Sequence, residues 1–264
     1  MSPLHAAVDG LMRKIGRDVV MARFRNLVAS EIEEKAANDY VTVADRLSEE
    51  RLTAGLMDIL PGSHVIGEEA VAADPSLLDD IATGLAWIVD PIDGTGNYAA
   101  GRTPFAIMVA LAEDGVVQAG WILDPWTRRM CHAARGEGAF VDNRRIVARE
   151  TGAALPIAAL ATRYLPADVS ESVLARAAGH LTEVDVPHCA GEQYPRVVLG
   201  ENDLALFWRT RPWDHAPGSL FVEEAGGTIA RLDGTPYRLG DERTGLLAAA
   251  SPRLWDEAAR LLFG

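Results

Sequence analysis

The chain has 264 residues, enough for one large domain or two smaller subdomains around a cleft, and a formal net charge of −13. Such a charge argues against a nucleic-acid duplex as partner, while small anionic substrates stay open where metal ions neutralise them. Two cysteines, Cys131 and Cys189, each beside a histidine (His132, His188), make neither a disulfide framework nor a four-ligand zinc pattern, so a reducing cytoplasm is expected.

The start Met1-Ser2-Pro3-Leu4-His5 lacks a basic stretch leading into an apolar core, and apolar runs are too short to span a bilayer, so no membrane partner is expected. Val8, Leu11, Met12, Ile15, Val19 and Val20 recur at helical spacing and predict an amphipathic helix reaching to about Ala29. A second helix is predicted from Thr42, with Asp45 three residues on, carrying Leu47, Leu52, Leu56 and Ile59 inward and stopping at Pro61-Gly62. His64 to Ile66 reads as a short strand running into Gly67-Glu68-Glu69.

Leu85 to Val89 is a continuous apolar run, the pattern of a strand buried on both faces, and it ends on Asp90. Phe105 to Ala112, Val116 to Leu123 and Met130 to Ala134, punctuated by turns, predict an antiparallel meander. Beyond about Arg145 shorter strands alternate with helices: Ile157 to Ala161, helix Ser170 to His180, Val184 to Val186, helix Tyr194 to Leu199, and Leu204 to Trp208. Asp214 stands before a helical run ending at Gly226-Gly227, and a helix from Ser251 to Phe263 closes the chain. The expected division is an α+β part over residues 1–145 and an α/β part over residues 146–264, packed as one unit.

Chemistry concentrates at Asp90-Pro91-Ile92-Asp93-Gly94-Thr95. The proline redirects the chain after the strand, so both carboxylates can face one point. Gly94 allows close backbone approach and Thr95 adds a hydroxyl, so amides here suit a phosphate. Clustered hard oxygen ligands suit Mg²⁺, which keeps several waters and completes its shell with substrate phosphate. A bare Asp-x-x-Asp after a strand would be read as a turn or a helix cap, so the longer string carries the argument.

Trp87-Ile88-Val89-Asp90-Pro91-Ile92-Asp93-Gly94-Thr95 with Asn97-Tyr98 resembles the signature of the inositol monophosphatase family, lithium-sensitive sugar-phosphate phosphatases. Gly67-Glu68-Glu69 before it, and Pro212-Trp213-Asp214 and Glu224-Ala225-Gly226-Gly227 after it, extend the resemblance over nearly the whole chain. The resemblance implies a layered αβαβα sandwich, shared with fructose-1,6-bisphosphatases, a homodimer, and two or three Mg²⁺ ions. It implies Glu68, Asp90, Asp93, Asp214 and the Ile92 carbonyl as metal ligands, with Gly94 and Thr95 on the phosphate. The catalytic set it implies is Thr95, which orients the attacking water, its partner Asp45, and Glu68. Thr42 and Asp45 also have capping-box spacing, so Asp45 has a structural reading beside the catalytic one. Asp214 likewise reads as a helix N-cap as well as a ligand.

Seven positions before Asp214, where inositol-type members carry a hydroxyl-binding glutamate, this chain has Phe207. The stretch Cys189-Ala190-Gly191-Glu192-Gln193-Tyr194-Pro195-Arg196 is bulkier than the family's small residues, and Pro217 follows unusually soon after Asp214. Gly191 and Glu192 are therefore the candidates for contacts to the alcohol, near Tyr194 and Phe207. Arg209-Thr210-Arg211 is a second candidate for meeting an anion, whereas His132 and His188 read as core or edge residues and Trp121, Trp126 and Trp208 as packing anchors. The expected reaction is Mg²⁺-dependent hydrolysis of a small phosphomonoester. Histidinol phosphate, fructose 1,6-bisphosphate and a 3'-phosphoadenosine nucleotide are alternative substrates, and a non-catalytic metal- or phosphate-binding regulator is the alternative class.

Overall fold

The computed structural model describes residues 2–36 and 39–264. Helix α1 (Pro3–Ile15) starts where the Ser2 side chain accepts from the His5 amide at 3.2 Å, with Pro3 in the first turn, where its missing N–H costs nothing. The winding continues as a wider turn over Gly16–Met21 and stops before Arg25, whose φ of +64° is left-handed. The first helix is thus shorter than the apolar stripe suggests.

A hairpin that the sequence reading did not place follows, β1 (Ile32–Ala36) with β2 (Asp39–Thr42). Its charged first strand carries no period-two alternation. Thr42 then caps α2 (Val43–Ile59), which buries Ala44, Asp45, Ser48, Glu49, Leu52 and Leu56.

β3 (His64–Gly67), the short helix α3 (Glu68–Ala73), β4 (Leu85–Asp93), the short helix α4 (Thr95–Ala99), β5 (Ala106–Glu113), β6 (Val116–Leu123), β7 (Met130–Ala134), β8 (Gly138–Val141) and β9 (Arg144–Ile146) come next. The strands form a seven-stranded sheet in sequence order, parallel only between β3 and β4. The predicted meander is its centre.

After it come β10 (Ile157–Leu160), α5 (Ala167–Ala177), β11 (Thr182–Val184), α6 (Ala190–Val198), β12 (Leu204–Phe207), α7 (Pro212–Glu224), β13 (Thr228–Ala230), β14 (Leu246–Ala249) and α8 (Pro252–Phe263). Their strands make a five-stranded sheet in the order β11, β10, β12, β14, β13. The strand expected at Val184 to Val186 lies two residues earlier, and α5 and α6 start before their expected positions because their cap residues, Pro166 and Cys189, give no side-chain cap. Asp214 sits inside the first turn of α7, whose cap position is Arg211, so the N-cap reading of Asp214 is not what the backbone adopts.

Side-chain alternation sorts the layers. Trp87 and Val89 of β4, with Ile107 and Val109 of β5, meet Val8, Met12, Leu52 and Leu56 of α1 and α2. The intervening Ile88, Met108 and Ala110 face the other way, onto Tyr194, Val197, Leu220 and Phe221 of α6 and α7. Those two helices are sandwiched against the small sheet, whose outer side is covered by α5 and α8. Helix, sheet, helix, sheet, helix is the layered sandwich expected. Close approach is built in at Gly120 of β6, where a Cβ would lie 2.8 Å from the Pro217 Cα of α7. Among the described residues no helix is long and apolar enough to cross a membrane.

Candidate active site

In a regular strand, residues three apart point to opposite faces. Asp90 and Asp93 escape that rule because β4 is bulged: Asp90 pairs with Met108 and Asp93 with Ala106, so one extra residue is accommodated around Pro91-Ile92. The extra residue restores a common side for the two carboxylates. The ladder therefore resumes at Asp93, where the sequence had predicted its end at Asp90.

Gly94 then turns the chain with φ +84°, and a Cβ there would meet the Pro104 carbonyl oxygen at 3.1 Å and the Cys189 Cβ at 3.2 Å. Only glycine fits. Thr95 opens α4, and its Oγ1 lies 2.8 Å from the Ile92 carbonyl oxygen and 3.1 Å from Asp45 Oδ1.

Asp45 caps α2 and also stands beside Thr95. Its Oδ2 accepts from the Thr42 amide at 2.9 Å and the Thr42 hydroxyl at 2.6 Å, while Oδ1 faces Thr95. Full burial raises its carboxyl to about 7, against the opposing pull of those hydrogen bonds.

Gly67-Glu68-Glu69 is held by Glu49, a residue that the sequence reading passed over. Its carboxylate accepts from the amides of Glu69 (2.8 Å) and Ala70 (2.7 Å), and a Cβ on Gly67 would sit 2.3 Å from its carboxyl carbon. The glycine of the motif is there to admit Glu49. Lys35, on the unpredicted hairpin, reaches Glu68 at 3.3 Å and Glu69 at 3.0 Å.

Glu68, Asp90, Ile92, Asp93, Gly94, Thr95 and Asp214 all line one cavity of about 600 Å³, within the range of small-ligand sites. Gly191 and Glu192 do not line it. The Gly191 amide donates to Asp93 Oδ2 at 2.6 Å, joined there by the Cys189 thiol at 3.1 Å, so Asp93 caps α6. Glu192 is turned away, gripped by Arg129 and by Arg196 at 2.9 Å. Of its guanidinium partners, Arg129 comes from a distant strand end, while Arg196 is the residue one helical turn onward.

The carboxyls of the site are all raised above their ordinary range where a shift is resolved. Burial, then Glu68, Asp93 and Asp214, push the Asp90 carboxyl well above the usual range, and its Oδ1 is buried without a hydrogen-bond partner. Burial raises Glu68 to about 8 despite Lys35, and Asp93 to about 6 despite its amide donors. Carboxyls in such surroundings hold protons unless cations take their place, which fits a divalent metal site. Among the described residues no three histidine, cysteine, aspartate or glutamate side chains close into a cage for a single ion.

The opposite wall was less legible. Phe207 lines the cavity, stacked on Tyr194 with ring centroids 4.9 Å apart, and Trp208, read as a packing anchor, lines it too. His188, read as a core or edge residue, is also on the wall. His215, unremarked in the sequence, lies beside Asp214. Its Nε2 faces the Arg209 carbonyl oxygen at 2.9 Å, which only accepts, so Nε2 carries the proton and Nδ1 accepts from the Tyr194 hydroxyl at 2.6 Å. Burial lowers His215 to about 4, in keeping with a neutral ring.

The family model described as the inositol monophosphatase family matches residues 1–262. A putative Nus factor SuhB of Neisseria meningitidis serogroup B is 29% identical over 99% of this chain and 98% of its own length. An inositol-1-monophosphatase of Bacillus subtilis is 28% identical over 86% of this chain and 84% of its own. Among solved structures, the extragenic suppressor protein SuhB of Bartonella henselae superposes with a TM-score of 0.84 at 26% identity, covering 99% of each chain. An IMPase of Thermotoga maritima gives 0.82 at 25% identity, covering 99% of this chain and 97% of that one.

Proposed function

The chain belongs to the inositol monophosphatase family and is a phosphatase, and from that premise we propose that it hydrolyses small soluble phosphomonoesters with magnesium held in the acidic end of the cavity. The observation that carries this reading is the convergence of four carboxylates on one cavity, with the buried Asp90 Oδ1 unpartnered. Glu68, Asp90, Asp93, Asp214 and the Ile92 carbonyl would hold the ions, two or three in number. When bound, such ions neutralise phosphate charge, lower the pKa of water and stabilise the leaving oxygen.

The chain's own groups do the positioning. Thr95 Oγ1 has one proton and two possible acceptors, Ile92 O and Asp45 Oδ1. When donated to Asp45, as it would be were the Ile92 carbonyl to hold an ion, that proton leaves the Thr95 oxygen free to accept from the attacking water. Asp45, lifted to about 7 by burial, is matched to taking a proton near neutrality. The turn at Gly94 and Thr95 offers backbone amides to the phosphate. Attack in line forms the new P–O bond as the ester bond breaks, and the alcohol departs with a proton. In this reading residues 1–145 supply most of the ligands and residues 146–264 complete the site with Asp214.

The relatives carry different names, so the alcohol is not given by kinship. Phosphate release from a panel of phosphomonoesters, with and without Mg²⁺, tests the reading. Metal-dependent release is expected from at least one member, and none from any would favour a binding protein that has lost turnover.

A further inference from the structure

Carboxylates in the cavity wall are confined to Glu68, Asp90, Asp93 and Asp214 among the described residues. The wall also carries three guanidinium residues, Arg102, Arg163 and Arg209. Four carboxylates and three guanidinium groups thus share one wall, in a chain with 38 acidic and 25 basic residues overall.

Two of these arginines share one platform. The Arg209 guanidinium stands 4.8 Å and that of Arg163 5.3 Å from the centre of the Tyr164 ring. They come from separate elements, Arg163 from the single turn Thr162–Tyr164 after β10 and Arg209 from the segment after β12. The backbone of Arg209 is fixed by the His215 Nε2–H, so the platform is tied to the residue next to Asp214.

For hydroxyl groups the same wall offers the unpartnered Gln193 amide, but outside the acidic end no carboxylate among the described residues. Phe207 lines it with a ring that neither donates nor accepts, and Glu192 is taken up by Arg129 and Arg196. Guanidinium forks match carboxylate and phosphate oxygens in pairs, which hydroxyl groups cannot reproduce.

We propose that this wall is a second anion site: the enzyme selects phosphomonoesters whose alcohol carries a further phosphate or carboxylate, held by Arg163 and Arg209 across Tyr164. The inference rests on the hydrolytic reading above and adds the substrate class. The hydrolysed phosphate sits at the acidic end and the second anion at the arginine end, which orients the ester in one direction.

Two substrate pairs test it, each differing by one anionic group: fructose 1-phosphate against fructose 1,6-bisphosphate, and glycerol 2-phosphate against 2-phosphoglycerate. The wild-type kcat/KM is expected to favour the doubly anionic member by at least about tenfold, with the gain mostly in KM and shrinking as salt is raised. A preference in the first pair alone assigns the site to phosphate, in the second alone to carboxylate. Arg163→Gln with Arg209→Gln should bring the ratio towards one at an unchanged Tm, and the double Lys variant should restore part of it. Equal kcat/KM within both pairs, or a ratio that survives the double Gln variant, overturns the second site while leaving hydrolysis intact. Should no compound be turned over with Mg²⁺, hydrolysis itself falls. Calorimetric binding of the fructose pair then decides, with about tenfold tighter binding of the bisphosphate expected and equal affinity refuting the site.

Discussion

At the acidic end of the cavity, the positions of Asp45, Asp90, Asp93 and Glu68 are set by the backbone, through a capped helix, a bulge, a helix start and a glycine that admits Glu49. Elsewhere on the cavity wall, Arg163, Tyr164 and Arg209 are exposed side chains on connecting segments, with both guanidinium groups against the tyrosine ring. Chemistry anchored in the fold resists substitution, while recognition carried on loops can change without disturbing it. Family kinship therefore informs about the first region far more than about the second.

The largest effect that would test this contrast is Asp90→Asn, expected to lower kcat on the order of a thousandfold, measured by phosphate release at saturating Mg²⁺. Full activity in that variant would break the metal assignment. Thr95→Ala should cost about a hundredfold in kcat with little change in Tm. Asp45→Asn should match it and also weaken the α2 cap by about 1 kcal/mol, so an altered Tm with normal turnover would leave Asp45 a purely structural residue.

Metal removal sharpens the comparison. Carboxyls raised in the metal-free fold stabilise it while protonated and lose that contribution as pH rises through their folded pKa values, about 6 for Asp93 and about 8 for Glu68. In the proposed site magnesium would replace the protons. Mg²⁺ at about a hundred times its Kd at pH 8 should raise stability there by about 2.7 kcal/mol, several degrees in Tm, and the same concentration should give a smaller gain at pH 6. An equal gain at both would contradict the buried-carboxylate account.

The smallest effect lies outside the cavity. His5 accepts from the Trp121 indole at 2.6 Å and lies against His132, whose ring stacks on Phe140. Burial lowers both, His132 to about 3. Stability should therefore be flat above the unfolded value near 6.5 and fall below it as the unfolded chain takes up protons, by at most about 2 kcal/mol per histidine at pH 5. His132→Phe should flatten the Tm profile between pH 7 and 5 without changing kcat.

How much of this the sequence disclosed follows from the range of the contacts. The β4 strand and its aspartates were legible because the apolar run and the carboxylates are contiguous, and the capping of α2 by Asp45 was legible in its spacing to Thr42, whereas its place beside Thr95 was implied only by the family resemblance. The hairpin bearing Lys35 was not, since charged short strands carry no periodic signal. Glu192 was misread because its neutralising partner Arg129 is remote in sequence, and Gly191 because its amide, a feature every residue has, is what meets Asp93. His215 gave no sign because a buried imidazole is explained only by the Tyr194 and Arg209 atoms around it.

The bulge at Pro91-Ile92 has a genetic consequence. Because one surplus residue sets the facing of Asp93, an in-frame insertion of one further codon there, with the one-residue bulge kept, would turn Asp93 to the other face of the sheet. A conservative exchange at the same place, such as Ile92→Val, would keep the reading frame of the pleat. For this segment, length is therefore inherited more strictly than side-chain identity.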